Sequence, residues 1–208
     1  MNIQEGIGLV SSGKDLSQSE MYQIILDILN GGVTDAQIGA FLIALSMKGE
    51  TVEEVVGAVN AMRQLSAKVK TDTTNLIDTC GTGGTGIGIF NVSTTSTFVA
   101  SYCGAKVAKH GNRTATRKSG SADLLEQAGV SLSLKPSEIA KCIEEIGMGF
   151  MFAPAHHSAM KHVIGPRKEI GQKSIFNVLG PLTNPASAKR QLMGCLLYTS
   201  PSPRDVEE

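Results

Sequence analysis

The chain has 208 residues, 41% of them hydrophobic, with no Trp and a formal net charge of zero. That is enough length for one large domain or two small ones around an aliphatic core. The balance of charge excludes wholesale nucleic-acid binding, and no apolar run approaches the ~18 residues of a membrane span.

The N-terminus, MNIQEGIGLVSSGK, lacks both the basic start and the long apolar stretch of a signal peptide. Cys80, Cys103, Cys142 and Cys195 show no CxxC or metal-ligand spacing. A reducing, cytoplasmic setting is the simplest expectation. Charge is unevenly spread: residues 1–72 hold nine carboxylates and five Lys or Arg. Between Asp78 and Asp123 there is no carboxylate, while Lys106, Lys109, Arg113, Arg117 and Lys118 lie inside. From Met148 to Arg190 the only acid is Glu169, against six Lys or Arg. These two electropositive segments suit an anionic small molecule better than DNA.

The first seventy residues predict helices. Ser17-x-x-Glu20, Thr34-x-x-Gln37 and Thr51-x-x-Glu54 have the capping-box form, which satisfies exposed amides at a helix start. Each leads an apolar stripe at helical spacing: Met21, Ile24, Ile25 and Ile28; then Ile38, Phe41, Leu42 and Leu45; then Val55, Val56, Val59 and Met62. Gly31-Gly32 and Gly49 end the first two runs. After SAKVKTDTT the pattern changes. Short apolar runs (NLID, AKVAK, GFMFA) alternate with helical candidates near 93–103, 121–128 and 137–146, as in a parallel α/β domain.

Between the first strand and the helix starting near Ser93 lies DTCGTGGTGIGIFNVST. Successive glycines let backbone amides point into one concavity, and a following helix N-terminus adds unpaired amides and a positive dipole end. A plain glycine turn explains such a loop about equally well. Lys109 and Arg113, flanking HGN in the carboxylate-free stretch just downstream, tip the balance toward phosphate, which takes charge-assisted bonds from such cations.

The runs CGTGGTG…FNVST, VAKHGNR…SGSADLLEQAG, HHSAMKHV and GPRKEIGQKSIFNVLGPLTNP resemble successive motifs of the anthranilate phosphoribosyltransferase family, over Asn2–Gly194. The chain is similar, more distantly, to pyrimidine nucleoside phosphorylases, which share the fold but not these motifs. The resemblance implies a small helical N-terminal domain (1–70) and an incomplete parallel-sheet α/β phosphoribosyl-binding domain (71–194), with 165–185 packing near the helical part. It implies transfer of phosphoribose from phosphoribosyl pyrophosphate to anthranilate, in tryptophan biosynthesis, by a homodimer with Mg²⁺ as cofactor. Carried over residue by residue, Gly81, Gly84, Thr85, Ile89, Asn91, Val92, Ser93 and Thr94 surround the pyrophosphate and ribose, with Ser93 contacting Mg²⁺. Lys109, His110, Gly111, Asn112, Arg113, Thr116, Arg117 and Ser121 line the phosphates. Gly81, His110, Asn112, His157 and Arg167 form the anthranilate side. No acid or base is assigned, because the aromatic amine is already neutral at pH 7 and needs positioning.

The chain departs from the family at four points. Thr85 stands where Asp is common, Ile89 where Thr is common, and Thr116-Arg117 where a Ser pair is usual. The acidic pair that holds Mg²⁺ in the family lies further along than this chain extends. Residues 195–208 resemble translated sequencing-adapter read-through and are expected to be non-native. The 208-residue chain is accordingly expected to be poorly soluble and nearly inactive, unlike its full-length parent. Two competing readings remain at this stage: a non-catalytic nucleic-acid-binding paralogue of the same fold, and a pyrimidine nucleoside phosphorylase.

Overall fold

The computed structural model describes residues 1–81, 90–113 and 120–194. Gly84, Thr85, Ile89, Thr116, Arg117 and the expected non-native tail lie outside the described residues. The chain forms two compact units. The first joins Met1–Lys68 to Pro154–Pro185, and the second joins Val69–Ala153 to the segment from Ala186 onward.

The first unit is helical: α1 (Ile3–Ser11), α2 (Gln18–Leu29), α3 (Asp35–Lys48) and α4 (Val52–Leu65). All three expected capping boxes form, at Ser17–Glu20, Thr34–Gln37 and Thr51–Glu54. A fourth, Asn2 with Glu5, opens α1, a helix the apolar pattern alone did not reveal. Gly31 and Gly49 take φ of 78° and 88° just past α2 and α3, a left-handed backbone that costs glycine nothing. The stripes read from sequence bury as one core except at Val56, which is exposed: Met21, Ile24, Ile25, Ile28, Ile38, Phe41, Leu42 and Leu45 pack with Ala58, Val59 and Met62, and with a half-buried Val55. Each large side chain among them contributes about 1.5–3 kcal/mol by leaving water.

Two features lock α4 in place. A Cβ on Gly57 would lie 2.4 Å from the Gln18 carbonyl oxygen and 3.1 Å from the Tyr22 amide, so only glycine lets α4 meet the backbone of α2. Glu54 is fully buried. Its Oε1 accepts from the Leu16 amide at 2.9 Å, while Oε2 accepts from the Thr51 amide at 2.8 Å and from Lys48 Nζ at 3.0 Å. The later segment adds α9 (Lys161–Ile170) and α10 (Phe176–Leu182), with Val163, Ile175, Phe176 and Leu179 joining the same core. They follow α8 (Ala153–His156) and a single 3-10 turn at Ser158–Met160. His156 anchors this return: its Nδ1 lies 2.8 Å from the Ala67 carbonyl, and its own carbonyl accepts the Ala67 amide.

The second unit holds a parallel sheet of four strands in the order β3-β2-β1-β4: β1 (Leu76–Gly81), β2 (Lys106–Gly111), β3 (Met148–Phe152) and β4 (Arg190–Gly194). Helices α5 (Val92–Tyr102), α6 (Ser121–Gln127) and α7 (Pro136–Ile146) connect them. The expected strand–helix alternation is therefore observed, and the sheet is parallel as the pattern predicted. Side chains alternate across each strand. One face presents Leu76, Ala108 and Met151 to Ile139, Ala140 and Ile143 of α7. Gly149 belongs to that face, where a Cβ would lie 2.8 Å from Ile143 and 2.9 Å from Ile139. The other face carries Thr79, Lys109 and Phe150 toward α5 and α6. β4 is exposed along its whole length. The outer side of α5 exposes Val92, Phe98, Val99 and Tyr102.

Two substitutions test the locks on α4. Glu54→Ala leaves Lys48 and two amides without their buried partner and is expected to destabilise the first unit by about 3–5 kcal/mol. Gly57→Ala forces two helix backbones apart at a cost of about 1–3 kcal/mol. Urea unfolding followed by circular dichroism reads both; unchanged midpoints would show that neither contact matters.

Candidate functional site

In the second unit, the carboxyl ends of β1 and β2 gather most of the residues singled out from the sequence. This is the end where open parallel sheets bind ligands. Gly81 closes β1 and is exposed. Asn91, Val92, Ser93 and Thr94 form the start of α5, where Asn91 occupies the cap position without a side-chain capping bond. The Val92 and Thr94 amides already donate to the Phe90 and Asn91 carbonyls, so what this eleven-residue helix offers an anion is the positive end of its dipole. Thr94 and Thr97 turn inward and are buried. The Thr97 hydroxyl lies 2.7 Å from that of Thr79, and the Ser93 carbonyl lies 3.0 and 3.1 Å from the two, so one hydroxyl donates to the other and that other donates to the carbonyl. This polar pin fixes the helix start against β1.

Lys109 is the centre of the arrangement. It is only 2% exposed, and its ammonium donates to the Thr79 carbonyl and to Ser93 Oγ at 3.3 Å. Burial pushes its pKa down to about 8, partly offset by the nearby charge of Asp78. The group is still an ammonium at neutral pH, and a desolvated charge acts on an incoming anion with little screening. Burial, with the charge of Asp78 added, pushes the neighbouring Cys80 thiol up to about 11, so it stays protonated and unreactive.

Near the end of β2, His110 is buried and its amide donates to Asp78 Oδ1 at 3.2 Å. Gly111 is glycine because a Cβ there would lie 2.4 Å from Ser121 Oγ and 2.8 Å from the Phe150 ring. The Asn112 carbonyl accepts from Ser121 Oγ and the Ala122 amide, both at 3.3 Å, which folds the turn back onto α6. Arg113, expected to line the phosphates, has acidic partners on α6. Its guanidinium pairs with Asp123 at 2.9 Å and Glu126 at 2.8 Å and lies 5.8 Å from the Phe152 ring centroid. The carboxylate-free stretch is real, but the acids that border it fold back to meet its last described cation.

His157 and Arg167 belong to the first unit. His157 is buried and lines a small cavity with Leu29, Met62, Leu65, Ala159 and Met160. Arg167, on α9, donates to Asn177 Oδ1 at 3.4 Å and lies 5.6 Å from the Phe176 ring centroid. Burial lowers its pKa, and the planar group keeps a fork of donors suited to a carboxylate.

No cluster of three His, Cys, Asp or Glu able to hold a metal occurs among the described residues. Ser93 Oγ is a single neutral oxygen at the phosphate end. That fits Mg²⁺, which binds mostly through water and substrate phosphate oxygens and takes few protein ligands. Sequence reasoning missed Asp78, Thr79 and Thr97. An acid inside a strand buried on both faces was the available signal for Asp78.

The comparisons agree with this geometry. A family model described as "Glycosyl transferase family, helical bundle domain" matches residues 5–66, and one described as "Glycosyl transferase family, a/b domain" matches 73–200. Anthranilate phosphoribosyltransferase of Ectopseudomonas mendocina is 57% identical over 194 residues, covering 93% of this chain and 56% of that protein. The enzyme of Teredinibacter turnerae is 56% identical over 93% of this chain and 57% of its own length. The crystal structure of anthranilate phosphoribosyltransferase from Thermus thermophilus superposes with a TM-score of 0.88 at 40% identity, covering 96% of this chain and 59% of that one. The Saccharomyces cerevisiae enzyme in complex with PRPP and Mg gives a TM-score of 0.84 at 30% identity, over 93% of this chain and 58% of that one. The chain thus spans a little over half the length of the relatives it matches. It belongs to the glycosyl transferase family of these two domain models.

Proposed function

We propose that the whole protein transfers phosphoribose from phosphoribosyl pyrophosphate to anthranilate, releasing pyrophosphate, in tryptophan biosynthesis. The observation that carries this reading is the buried Lys109 ammonium, joined to Ser93 at the N-terminus of α5 directly after the glycine loop. Relatives at 53–58% identity bear the name of this activity. Yeast enzyme structures hold PRPP with Mg in one case and 4-fluoroanthranilate in another.

In this reaction the C–O bond at the anomeric carbon of the ribose breaks and the electron pair leaves with pyrophosphate. The anthranilate nitrogen forms the new bond to that carbon and gives up a proton to solvent. Negative charge therefore builds on the leaving group. Lys109, the positive end of the α5 dipole and Gly81 are the second unit's means of stabilising it, fixed before the substrate arrives. The Thr79–Thr97–Ser93 pin keeps those groups from reorganising. Bound Mg²⁺ would neutralise charge on the pyrophosphate, with Ser93 as its oxygen ligand from this stretch. In the first unit, Arg167 is the candidate fork for the anthranilate carboxylate and His157 a candidate contact on the same substrate. Asn112 and His110 are kept as ligand contacts, and Ser121 as a phosphate contact. Arg113 acts through α6, shaping the turn rather than offering a free charge. A homodimer and a cytoplasmic setting complete the reading; the free thiols of Cys80, Cys103 and Cys142 suit a reducing compartment.

Anthranilate-dependent release of pyrophosphate by the full-length protein tests the reading directly. Phosphorolysis of thymidine or uridine without that release would replace it. Lys109→Met should raise the KM for phosphoribosyl pyrophosphate about tenfold or more by removing a desolvated charge-assisted contact. Arg167→Lys loses the planar fork and should raise the KM for anthranilate roughly tenfold, leaving that for phosphoribosyl pyrophosphate within about twofold. Steady-state kinetics varying each substrate separately reads both.

A further inference from the structure

Arg167 is a cation without a paired anion. It lies in the last turn of α9, half-buried, and burial lowers its pKa with no opposing charge to raise it. Among the described residues it forms no ion pair with a carboxylate. Glu169, the only acid between Met148 and Arg190, is two positions further along the same helix, and residues two apart on a helix do not face each other. A last-turn cation ordinarily complements the helix dipole from solvent, as the exposed Lys168 is placed to do. Arg167 is instead held at its head by two consecutive residues of α10: its guanidinium donates to Asn177 Oδ1 at 3.4 Å and lies 5.6 Å from the Phe176 ring centroid.

The Asn177 side chain is itself oriented by its donors. The same Oδ1 accepts the Ser174 main-chain amide at 3.0 Å, while the Asn177 amide donates to the Ser174 carbonyl at 2.8 Å. Two N–H donors converge on one oxygen, so the side-chain nitrogen must face elsewhere. Ser174-x-x-Asn177 is thus a closed ring of the capping-box kind at the start of α10. The ring ties the oxygen to main chain, and the oxygen ties down the guanidinium. A carboxylate at position 177 would close the same ring and hold Arg167 harder, since a charge-assisted bond is roughly twice as strong as a neutral one. It would also cancel the charge. A neutral amide holds the fork and leaves it cationic.

We propose that Asn177 is a positioning residue for Arg167: it fixes the guanidinium while leaving its charge free for an anionic substituent on the acceptor substrate. It acts through Arg167 and not on the substrate itself. Discrimination between a ring bearing a carboxylate and the same ring bearing a neutral amide follows from that arrangement. The substrate part of this inference rests on the function proposed above; the anchoring of Arg167 does not.

The test uses the full-length protein with two readouts: steady-state kinetics and urea unfolding. Asn177→Asp keeps an acceptor for the Ser174 amide and pairs with Arg167, so the KM for anthranilate should rise about tenfold or more. The KM for phosphoribosyl pyrophosphate should stay within about twofold, and inhibition by the neutral analogue 2-aminobenzamide within about threefold. Asn177→Ala frees the guanidinium but leaves its charge, so the KM for anthranilate should rise only about threefold. A residue that merely capped α10 would give the reverse order, with Asn177→Ala the worse of the two. That reverse order, or an unchanged anthranilate KM in Asn177→Asp, overturns the proposal. If Asn177→Ala does not fold, Asn177→Asp against wild type decides alone. In unfolding, Asn177→Asp should raise the midpoint more in the wild-type background than in Arg167→Met; equal effects in both overturn the anchoring. If the wild type shows no anthranilate-dependent release of pyrophosphate, the functional reading fails and the unfolding cycle alone decides the anchoring. If it is active and Asn177→Asp keeps its KM, the positioning role fails and the functional reading survives.

Discussion

A buried ammonium has to be paid for by its surroundings, and the second unit is arranged around that requirement. Lys109 reaches from β2 across the seam to the Thr79 carbonyl and on to Ser93 at the start of α5. That one group ties together a strand end, a neighbouring strand and a helix N-terminus. The Thr79–Thr97 hydroxyl bond, and the Ser93 carbonyl to which one of the pair donates, fix the helix against the sheet from the same side. A phosphate cradle must have its dipoles aimed before the substrate binds, because dipoles that turn during the reaction return much of their advantage as reorganisation. Packing and charge here serve the same end.

The helical unit solves a different problem. It is organised by apolar burial, with Glu54 as the one fully buried carboxylate among its described residues. Its functional candidates, His157 and Arg167, sit on the segment that returns after β3 rather than on the first four helices. Arg167 is held by Asn177 and the Phe176 ring, which limits the conformations of a long side chain.

Much of this was legible in the sequence because it follows local rules. Three capping boxes marked α2, α3 and α4, and their apolar stripes named the core, since helix periodicity reports burial directly. The alternation of short apolar runs with helices gave the parallel sheet. α1 was missed because its apolar residues are few and its cap is an Asn at the second position. The candidate site was legible in part. Lys109, Ser93 and the KHGN turn were found by composition and motif. Three things were out of reach. The acidic partners of Arg113 were not foreseen, because only the folded chain shows α6 presenting Asp123 and Glu126 to it. Asp78 was passed over because its partners, the His110 amide and the Gln191 side chain, lie on the two neighbouring strands, which no local pattern encodes. The Thr79–Thr97 contact joins residues eighteen apart on a strand and a helix, and two threonines at that separation carry no signal.

Glu54 has a consequence for how the helical unit comes apart. One carboxylate serves the Leu16 amide ahead of α2, Lys48 at the end of α3 and the first turn of α4. Helix ends ordinarily fray one at a time, each with its own small opening free energy. Here the start of α4 cannot loosen without also releasing the segment before α2 and the last turn of α3. Amides on all three should therefore open together as one cooperative unit, and a single side chain makes neighbouring helix ends exchange in concert rather than independently.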